Sequence, residues 1–483
     1  MRDYIAQDRS KKACAEFIQA IQPEEILQLA SSYHDNEPCK IFRPPAHGSF
    51  NVCFFVAFEK DHWVVRLPIP SSVFWVDEKL EAEVATMKYV TANTTIPVPK
   101  VHAFAYARDS PIQKAFIIMD YVEGKNLTEL GFPRKDIDRW CSYSIVKTTP
   151  SRKAMYRGLA HVYSQLCELK FSTIGALGFS PEDGSIVVRN RPLTVEVALQ
   201  EREGLEPTAI LPEKTTFRTA SEYIRSLLRL GDNLLNKGKP NVSELHTPFA
   251  FDRIRAYVTQ RFCQPDADTG PFVLFHGDFN IQNLLWDDDV NLVAVLDWEW
   301  SSVVPLQLVM PPTWLNGDSV DGLMSFQLSY FDELAKLNAI LRDEFHGRLT
   351  WPRLTEVCDP LIVCALMRPE RVYNIFWFYL SYIEAGLYPK TAETYDKMPA
   401  IESEWIEAYR TDEREAFMAR RKKEVQAYFD AENAYFDAQE SSENADAGTN
   451  DDTDTNAGSS GSASESRSRS PALSQDVNHD GHT

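Results

Sequence analysis

The sequence predicts an α+β protein in which a small strand-rich region is followed by a large, mainly helical one. Runs of β-branched and aromatic residues are concentrated between residues 41 and 120, where one helical pattern interrupts them. After Gly124, apolar residues recur mostly at helical intervals. With 483 residues, 44% of them hydrophobic and 12% aromatic, the chain has enough apolar material for two sizeable cores.

The individual elements follow from the same patterns. Helices place apolar residues three or four positions apart, and strands are short apolar runs between turn signals. Pro23 begins a second helix, because proline is favoured at the first helical position. In chain order we expect helices within 13–34, strands at 52–58 and 63–67, a helix at 78–91, a strand at 115–119, a helix at 154–169, short irregular elements over 185–216, a helix at 220–235, strands at 273–275, 284–286 and 291–296, and a long helix at 413–440.

Composition divides the chain into four expected segments. Residues 1–37 form a helical extension, 38–122 a small lobe, 123–440 a helical lobe with an acidic hairpin, and 441–483 a disordered acidic tail. Ser, Asp, Asn, Gly and Thr dominate this tail, so it cannot bury enough apolar surface to become ordered.

Charge and cysteine usage restrict the function classes. The formal charge is −20; nine acidic residues and two arginines give residues 440–483 a net −7, which leaves −13 for the rest. This acidity argues against nucleic acid or an anionic membrane as partner, because both need a basic face. The eight cysteines show no metal-type spacing, and we find neither a leader-type apolar core nor a membrane-spanning run. We therefore predict a cytoplasmic protein; its oligomeric state cannot be read from the sequence.

The most informative stretch is His-Gly-Asp-Phe-Asn-Ile-Gln-Asn at 276–283, followed by Asp-Trp-Glu-Trp at 297–300. Phosphoryl transfer needs a carboxylate that orients the attacking hydroxyl, and oxygen donors that hold Mg²⁺ on a nucleotide. Asp278 fits the first role, and Asn283 with Asp297 fits the second.

A hairpin explains why Asn283 and Asp297 should meet. Apolar strands flank the acidic turn 287–289, so a hairpin centred near Val290 brings both side chains to the same end of an antiparallel pair. Asp278 lies on the loop that enters this hairpin, so we expect all three groups at one place.

This motif and the order of elements resemble the aminoglycoside phosphotransferase and choline kinase superfamily, in particular its large fungal-type phosphotransferase branch. The resemblance covers roughly residues 38–385. It implies a protein-kinase-like fold of two lobes, with ATP and Mg²⁺ as cofactors and a small molecule with a hydroxyl group as acceptor. Further fragments that carry it are Trp63-Val64-Val65-Arg66, Glu83-Val84-Ala85-Thr86-Met87, Thr95-Ile96-Pro97-Val98-Pro99 and Phe116-Ile117-Ile118-Met119.

The resemblance assigns roles to individual residues. Asp278 is implied to be the catalytic aspartate, Asn283 and Asp297 the Mg²⁺ ligands, Glu299 an indirect support of the metal, and His276 a structural brace of the catalytic loop. The nucleotide contacts that it implies are Gly48 and Ser49 in the phosphate-covering loop, Arg66 on a strand with Glu83 as its helix partner, Met119 at the back of the adenine pocket, and Asp120 to Val122 as the hinge.

Two departures from the pattern keep alternatives open. The phosphate loop holds one glycine, and Arg66 stands where kinases have a lysine. A non-catalytic nucleotide-binding protein is therefore the alternative function, and a protein kinase is disfavoured because Asp297-Trp298-Glu299 replaces Asp-Phe-Gly. Taken singly, Gly48 also fits a plain hairpin glycine, and Glu83 a solvated helix residue. The acceptor has no readable motif.

Overall fold

The structure, a computed structural model, describes residues 3–132, 150–239, 244–317, 327–344 and 359–448. By its contacts the chain divides into two compact units, Met1–Asp430 and Ala431–Thr483. All residues of the candidate site belong to the first unit. In the second, the described part is helical, and the rings of Tyr435 and Phe436 pack 5.2 Å apart.

The first half of the unit Met1–Asp430 is built on an antiparallel sheet of five strands, in the order β1-β2-β3-β5-β4. Two helices precede the sheet, and a third helix connects β3 to β4 along the chain. Their bounds are α1 Tyr4–Gln19, α2 Pro23–Ser32, β1 Lys40–His47, β2 Asn51–Ala57, β3 His62–Pro68, α3 Val76–Asn93, β4 Val101–Ala105 and β5 Phe116–Asp120.

The two faces of the sheet have different surroundings, because side chains alternate along a strand. On β2, Phe54 and Val56 join a core to which α2 contributes Ile26 and Leu29. Cys53 and Phe55, on the opposite face, line a cavity. The alternation along β2 thus separates the small core from the cavity.

The second half is mainly helical, with short strands between the helices. Three strands form a small sheet in the order β12-β9-β6, and β7–β8 and β10–β11 are two antiparallel hairpins. The bounds are α4 Pro150–Glu168, β6 Lys170–Phe171, β7 Ala176–Phe179, β8 Ile186–Asn190, α5 Val195–Arg202, α6 Ala220–Lys237, α7 His246–Phe262, α8 Pro265–Asp268, β9 Phe272–Phe275, β10 Leu284–Trp286, β11 Leu292–Val295, β12 Ser302–Val304, α9 Gln327–Glu344, α10 Pro360–Met367, α11 Val372–Ile375, α12 Ser381–Glu384, α13 Ala392–Tyr409 and α14 Asp412–Gly448.

This architecture confirms the predicted α+β class and the protein-kinase-like order of a strand-rich region followed by a helical one. The region after Gly124 is mainly helical, as predicted, but strands β6, β7, β8 and β12 were not identified in the sequence. Strands of two to five residues are too short to give a period-2 signal.

Two further boundaries differ from the sequence prediction. Helix α1 begins at Tyr4, where the Asp3 side chain accepts from the Ala6 amide (2.8 Å). It contains no buried residue, so no apolar stripe marks its first turns. Helix α14 continues past 440 to Gly448, because extending an existing helix costs far less than starting one. The remainder of the predicted tail, 449–483, lies outside the described residues.

Among the helices in the described ranges, none combines the length and the apolar character that crossing a bilayer requires.

Candidate active site

The loop 276–283, which the sequence predicts to be the catalytic loop, is fixed by a glycine that has no room for a side chain. Gly277 has a φ of +81°, and a Cβ there would lie 2.0 Å from the carbonyl oxygen of Trp300. Backbone of the 297–300 turn therefore passes directly against the loop. This contact holds Asp278 next to the turn that starts with Asp297.

The β10–β11 hairpin supplies the second constraint. Leu284 pairs with Val295, and the Leu296 amide donates to the carbonyl of Asn283 (2.8 Å). Asn283 thus lies opposite Leu296, and Asp297 follows one residue later. Asp297 has a φ of 64°, a left-handed conformation that short polar residues tolerate best. The predicted meeting of Asn283 and Asp297 at one end of the hairpin is confirmed.

His276 stabilises the loop 276–283 through hydrogen bonds to the backbone. The ring is buried, and its Nε2 donates to the carbonyl of Leu296 (2.9 Å), while the Ser301 hydroxyl donates to the carbonyl of His276 (3.0 Å). Burial lowers the pKa of His276 to about 4. The side chain is therefore neutral near pH 7 and contacts backbone rather than the cavity.

Asp278 lies beside Asn283 at the edge of the site. The Asn283 amide donates to the carbonyl of Asp278 (2.9 Å) and to its carboxylate (3.2 Å). Burial raises the pKa of Asp278, and the nearby Arg368 charge and the Asn283 hydrogen bond oppose this rise. A half-buried carboxylate with a raised pKa suits a group that accepts a proton.

A cavity of about 370 Å³ separates the sheet from the catalytic hairpin. Its lining includes every residue that the sequence resemblance assigned to nucleotide or metal, whereas Asp278 lies outside the lining and reaches it through Asn283. The assigned residues in the lining are Gly48, Ser49, Arg66, Glu83, Met119, Asp120, Val122, Asn283, Asp297 and Glu299.

Arg66 is the centre of a buried ion-pair network in this cavity. Its guanidinium donates to Glu83 on α3, to Asp297, and to Glu299 (2.9 Å). Burial raises the pKa of Glu83, and the Arg66 charge opposes the rise. The pairing of strand and helix predicted for Arg66 and Glu83 is present, so neither is a solvated surface charge.

Two members of the network escaped the sequence analysis. Lys79, only 1% exposed, pairs with Glu299, and the Asn51 amide donates to the same carboxylate (2.7 Å). Lys79 precedes Glu83 by one helical turn, so the two face the same side of α3. The available signal in the sequence was a lysine four residues before Glu83, beside the apolar residues of the same helix.

The hinge follows β5. The Asp120 amide donates to Lys100 (3.0 Å), its carboxylate contacts His102 (2.6 Å), and the Tyr121 amide donates to His62 (2.8 Å). Over the described ranges, the backbone hydrogen bonds do not include the amide of Val122.

The phosphate loop is a plain turn between β1 and β2. The Gly48 amide donates to the carbonyl of Asn51 (2.9 Å), and a Cβ on Gly48 would meet no atom within 4 Å. Ser49 also lines the cavity. Sterically, the loop does not require glycine at 48.

The donor set fits Mg²⁺. Asn283 and Asp297 bring an amide oxygen and a carboxylate to one cavity, and this metal takes one or two protein oxygens together with phosphates and waters. Oε1 of Glu299 is buried and has no hydrogen-bond partner among the described residues. With all groups ionised, the cations Lys79 and Arg66 and the carboxylates of Glu83, Asp297 and Glu299 sum to one net negative charge.

Comparison with known proteins identifies the same segments. The model of the phosphotransferase enzyme family matches residues 41–142 and 226–306, which hold the sheet and the catalytic hairpin. Among curated proteins, altered inheritance of mitochondria protein 9, mitochondrial, of Yarrowia lipolytica is 21% identical over 66% of this chain and 56% of its own length. Clavilactone A biosynthesis cluster protein Y of Ampulloclitocybe clavipes is 27% identical over 53% of this chain and 60% of its own length. The chain thus matches little more than half the length of these relatives.

Among solved structures, the aminoglycoside phosphotransferase APH(4)-Ia is similar with a TM-score of 0.42 at 12% identity, over 79% of this chain and 98% of that one. A macrolide 2'-phosphotransferase of type I has a TM-score of 0.39 at 14% identity, over 78% and 95%. The family model covers both walls of the cavity described above, so the chain is similar to the phosphotransferase enzyme family over these two segments, and the resemblance found in the sequence is confirmed.

Proposed function

We propose that this protein is an ATP-dependent small-molecule kinase, which transfers the γ-phosphate of a magnesium nucleotide to a substrate hydroxyl. The observation that carries the proposal is the convergence in one cavity of a hinge, a buried guanidinium and two oxygen donors for a metal, with Asp278 bonded to one of those donors. These are the parts from which phosphoryl transfer by positioning and electrostatics is built.

Asp278 is assigned to the acceptor. Its carboxylate accepts the hydrogen bond of the attacking hydroxyl and takes that proton as the new oxygen–phosphorus bond forms and ADP leaves. The hydrogen bond from Asn283 holds the carboxylate in place without filling both oxygens. Asp278 thus acts mainly by aligning the nucleophile with the γ-phosphate.

The nucleotide is held by the opposite wall. The backbone at Asp120 and Val122 reads the adenine edge, Met119 closes the back of the pocket, and the guanidinium of Arg66 faces the phosphates. Asn283 and Asp297 would hold Mg²⁺, which supplies charge neutralisation on the phosphate oxygens when bound.

The alternative is a nucleotide-binding protein without turnover. The observation in its favour is the ion pair between Arg66 and Asp297, which engages one of the oxygens that a metal would use. Because the guanidinium also has Glu83 and Glu299 as partners, we propose that it releases Asp297 when phosphate and metal bind.

The acceptor is proposed as a small molecule with a hydroxyl group, and the compartment as the cytoplasm. A curated relative carries "mitochondrial" in its name. A fluorescent fusion in a cell decides this point: a diffuse cytoplasmic signal supports the proposed compartment, and co-localisation with a mitochondrial dye contradicts it.

A metabolite screen tests the function. The purified protein, ATP and Mg²⁺ are incubated with a broad library of hydroxyl compounds, and ADP release is measured for wild type and for Asp278→Asn. We expect a subset of compounds to stimulate ADP release with wild type but not with the variant. Nucleotide binding without turnover across the whole library would instead support the non-catalytic alternative.

A further inference from the structure

Helix α3 carries charged side chains toward two different parts of the molecule. Lys79 and Glu83 face the cavity, where they pair with Glu299 and Arg66. The side chains of Glu78 and Glu81, three residues apart, point instead toward the β7–β8 hairpin and the residue that follows it. Glu81 contacts Asn190, and Glu78 contacts Arg191. The helix is therefore held from both sides.

The strongest of the outer contacts is made by Arg191, which is only 1% exposed. Its Nε donates to both carboxylate oxygens of Glu78 (3.1 and 3.2 Å), and Nη2 donates to one of them (2.9 Å). Nη1 donates to the carbonyl of Leu211 (2.8 Å), and the guanidinium lies 4.4 Å from the ring centre of Trp75 at the start of α3. A bidentate pair of this kind, with a buried guanidinium and a partly buried carboxylate, fixes both distance and angle.

Glu81 adds a second attachment one turn further along α3. One of its carboxylate oxygens accepts from the Phe179 amide on β7 (3.1 Å), and the other accepts from the side-chain amide of Asn190 on β8 (2.9 Å). Arg189 approaches the same carboxylate at 3.7 Å. Two consecutive turns of α3 are thus hydrogen-bonded to the β7–β8 hairpin and to Arg191, which follows it.

We propose that the β7–β8 hairpin and Arg191 are a built-in clamp that positions α3, and through Glu83 positions Arg66 for the nucleotide phosphates. In kinases the ion pair between this helix and the phosphate-binding strand must be formed for activity, so the position of the helix sets the competence of the site. Here Arg191 and Asn190 are positioning residues, which act on the phosphates only through Glu78, Glu81 and the helix. This inference rests on the proposed function, since it assumes that Arg66 receives a nucleotide.

The test compares Arg191→Met with a matched control. Arg157→Met removes another arginine–glutamate pair on the exposed surface of α4, in which Nε of Arg157 donates to both carboxylate oxygens of Glu344. Nucleotide affinity is measured with ADP and Mg²⁺ by calorimetry, and hydrogen exchange is followed in residues 78–87 and in 276–283. We expect Arg191→Met to weaken ADP binding at least about tenfold, the equivalent of one lost charge-assisted hydrogen bond, and to speed exchange in 78–87 but not in 276–283. Arg157→Met should leave all three as in wild type.

A second variant covers the case in which Arg191→Met does not fold. Glu78→Gln keeps the volume and one acceptor oxygen but removes the charge, and should show the same pattern with a smaller loss of affinity. A folded variant of either kind with wild-type exchange in 78–87 and wild-type ADP affinity would overturn the clamp. If wild type itself binds no nucleotide, the proposed function fails, while the exchange of 78–87 still decides whether Arg191 positions the helix.

Discussion

The two walls of the nucleotide cavity are built on opposite principles. On the catalytic side, a Cβ on Gly277 would lie 2.0 Å from the Trp300 carbonyl, and Asn283 is bonded to Asp278 through two hydrogen bonds. On the phosphate-loop side, a Cβ on Gly48 would meet no atom within 4 Å. Under the proposed function, the catalytic groups are thus fixed by the backbone, whereas the nucleotide would be held by buried side chains, chiefly Arg66, rather than by a glycine-rich loop.

The largest effect is expected on the catalytic side, from Asp278→Asn. The amide keeps the size of the side chain but cannot accept the acceptor proton, so kcat should fall about 10²- to 10⁴-fold. The midpoint of thermal unfolding should stay within a degree or two, since no buried ion pair is broken. Steady-state kinetics on an acceptor found by the screen, together with a melting curve, check both statements; a variant with wild-type kcat would remove Asp278 from the mechanism.

The next effect is on stability, from Gly277→Ala. A left-handed φ costs a non-glycine residue roughly 1–2 kcal/mol, and the overlap with the Trp300 carbonyl adds roughly 1–3 kcal/mol. We therefore expect the free energy of unfolding, from urea titration, to fall by roughly 2–5 kcal/mol. An unchanged unfolding midpoint would mean that the loop does not pass as closely to Trp300 as described.

Arg66→Lys tests whether side chains on the sheet hold the nucleotide. Lysine keeps the charge but loses the fork that reaches Glu83, Asp297 and Glu299 together. We expect the KM for ATP to rise about tenfold, the equivalent of one lost charge-assisted hydrogen bond, with a smaller fall in kcat. Initial rates at varied ATP concentrations measure the KM. An equal KM for wild type and variant would contradict phosphate binding by Arg66 and assign it to the loop at Gly48.

The pH dependence of kcat should reflect Asp278. Because burial raises its pKa, the acidic limb of the profile should lie above that of an ordinary aspartate, and activity is lost as the pH falls and the carboxylate is protonated. The Arg368 charge opposes this rise, so Arg368→Met should move the limb to higher pH. A limb that moves down, or does not move, would contradict the assigned base.

The smallest effect is expected from Gly48→Ala. The added methyl group enters open space, and the residue does not need a positive φ. The KM for ATP should change less than about twofold, as for a substitution without a disrupted contact. A rise in the KM for ATP as large as that of Arg66→Lys would show that the loop holds the phosphates through its glycine. Both walls would then depend on a backbone glycine.

How far the sequence predicts this site depends on the distance between partners along the chain. Asp278, Asn283 and Asp297 lie within one motif and hairpin, so spacing and turn chemistry were sufficient. Lys79 meets Glu299 across 220 residues and Arg191 meets Glu78 across 113, and no local pattern encodes such a pairing.

The same limit applies to the fold. Strands β2, β3 and β5 and helix α3 have clear periods, and their predicted bounds lie within one or two residues of the observed ones, whereas no bounds were predicted for β1 and β4. The β7–β8 hairpin, which contacts α3, is made of strands of four and five residues; β8 lies in the stretch predicted as short irregular elements, and β7 was not predicted.

Stabilisation by magnesium nucleotide tests the central claim most directly. Thermal unfolding of wild type, Asp297→Asn and Asp288→Asn is measured with ATP over a range of Mg²⁺ concentrations; Asp288, 82% exposed on the same hairpin, is the matched control. A bound ligand raises the unfolding midpoint with its concentration, so wild type and Asp288→Asn should show a Mg²⁺-dependent rise that Asp297→Asn lacks. The same rise in all three proteins would contradict the metal site at Asn283 and Asp297, and with it the proposed mechanism.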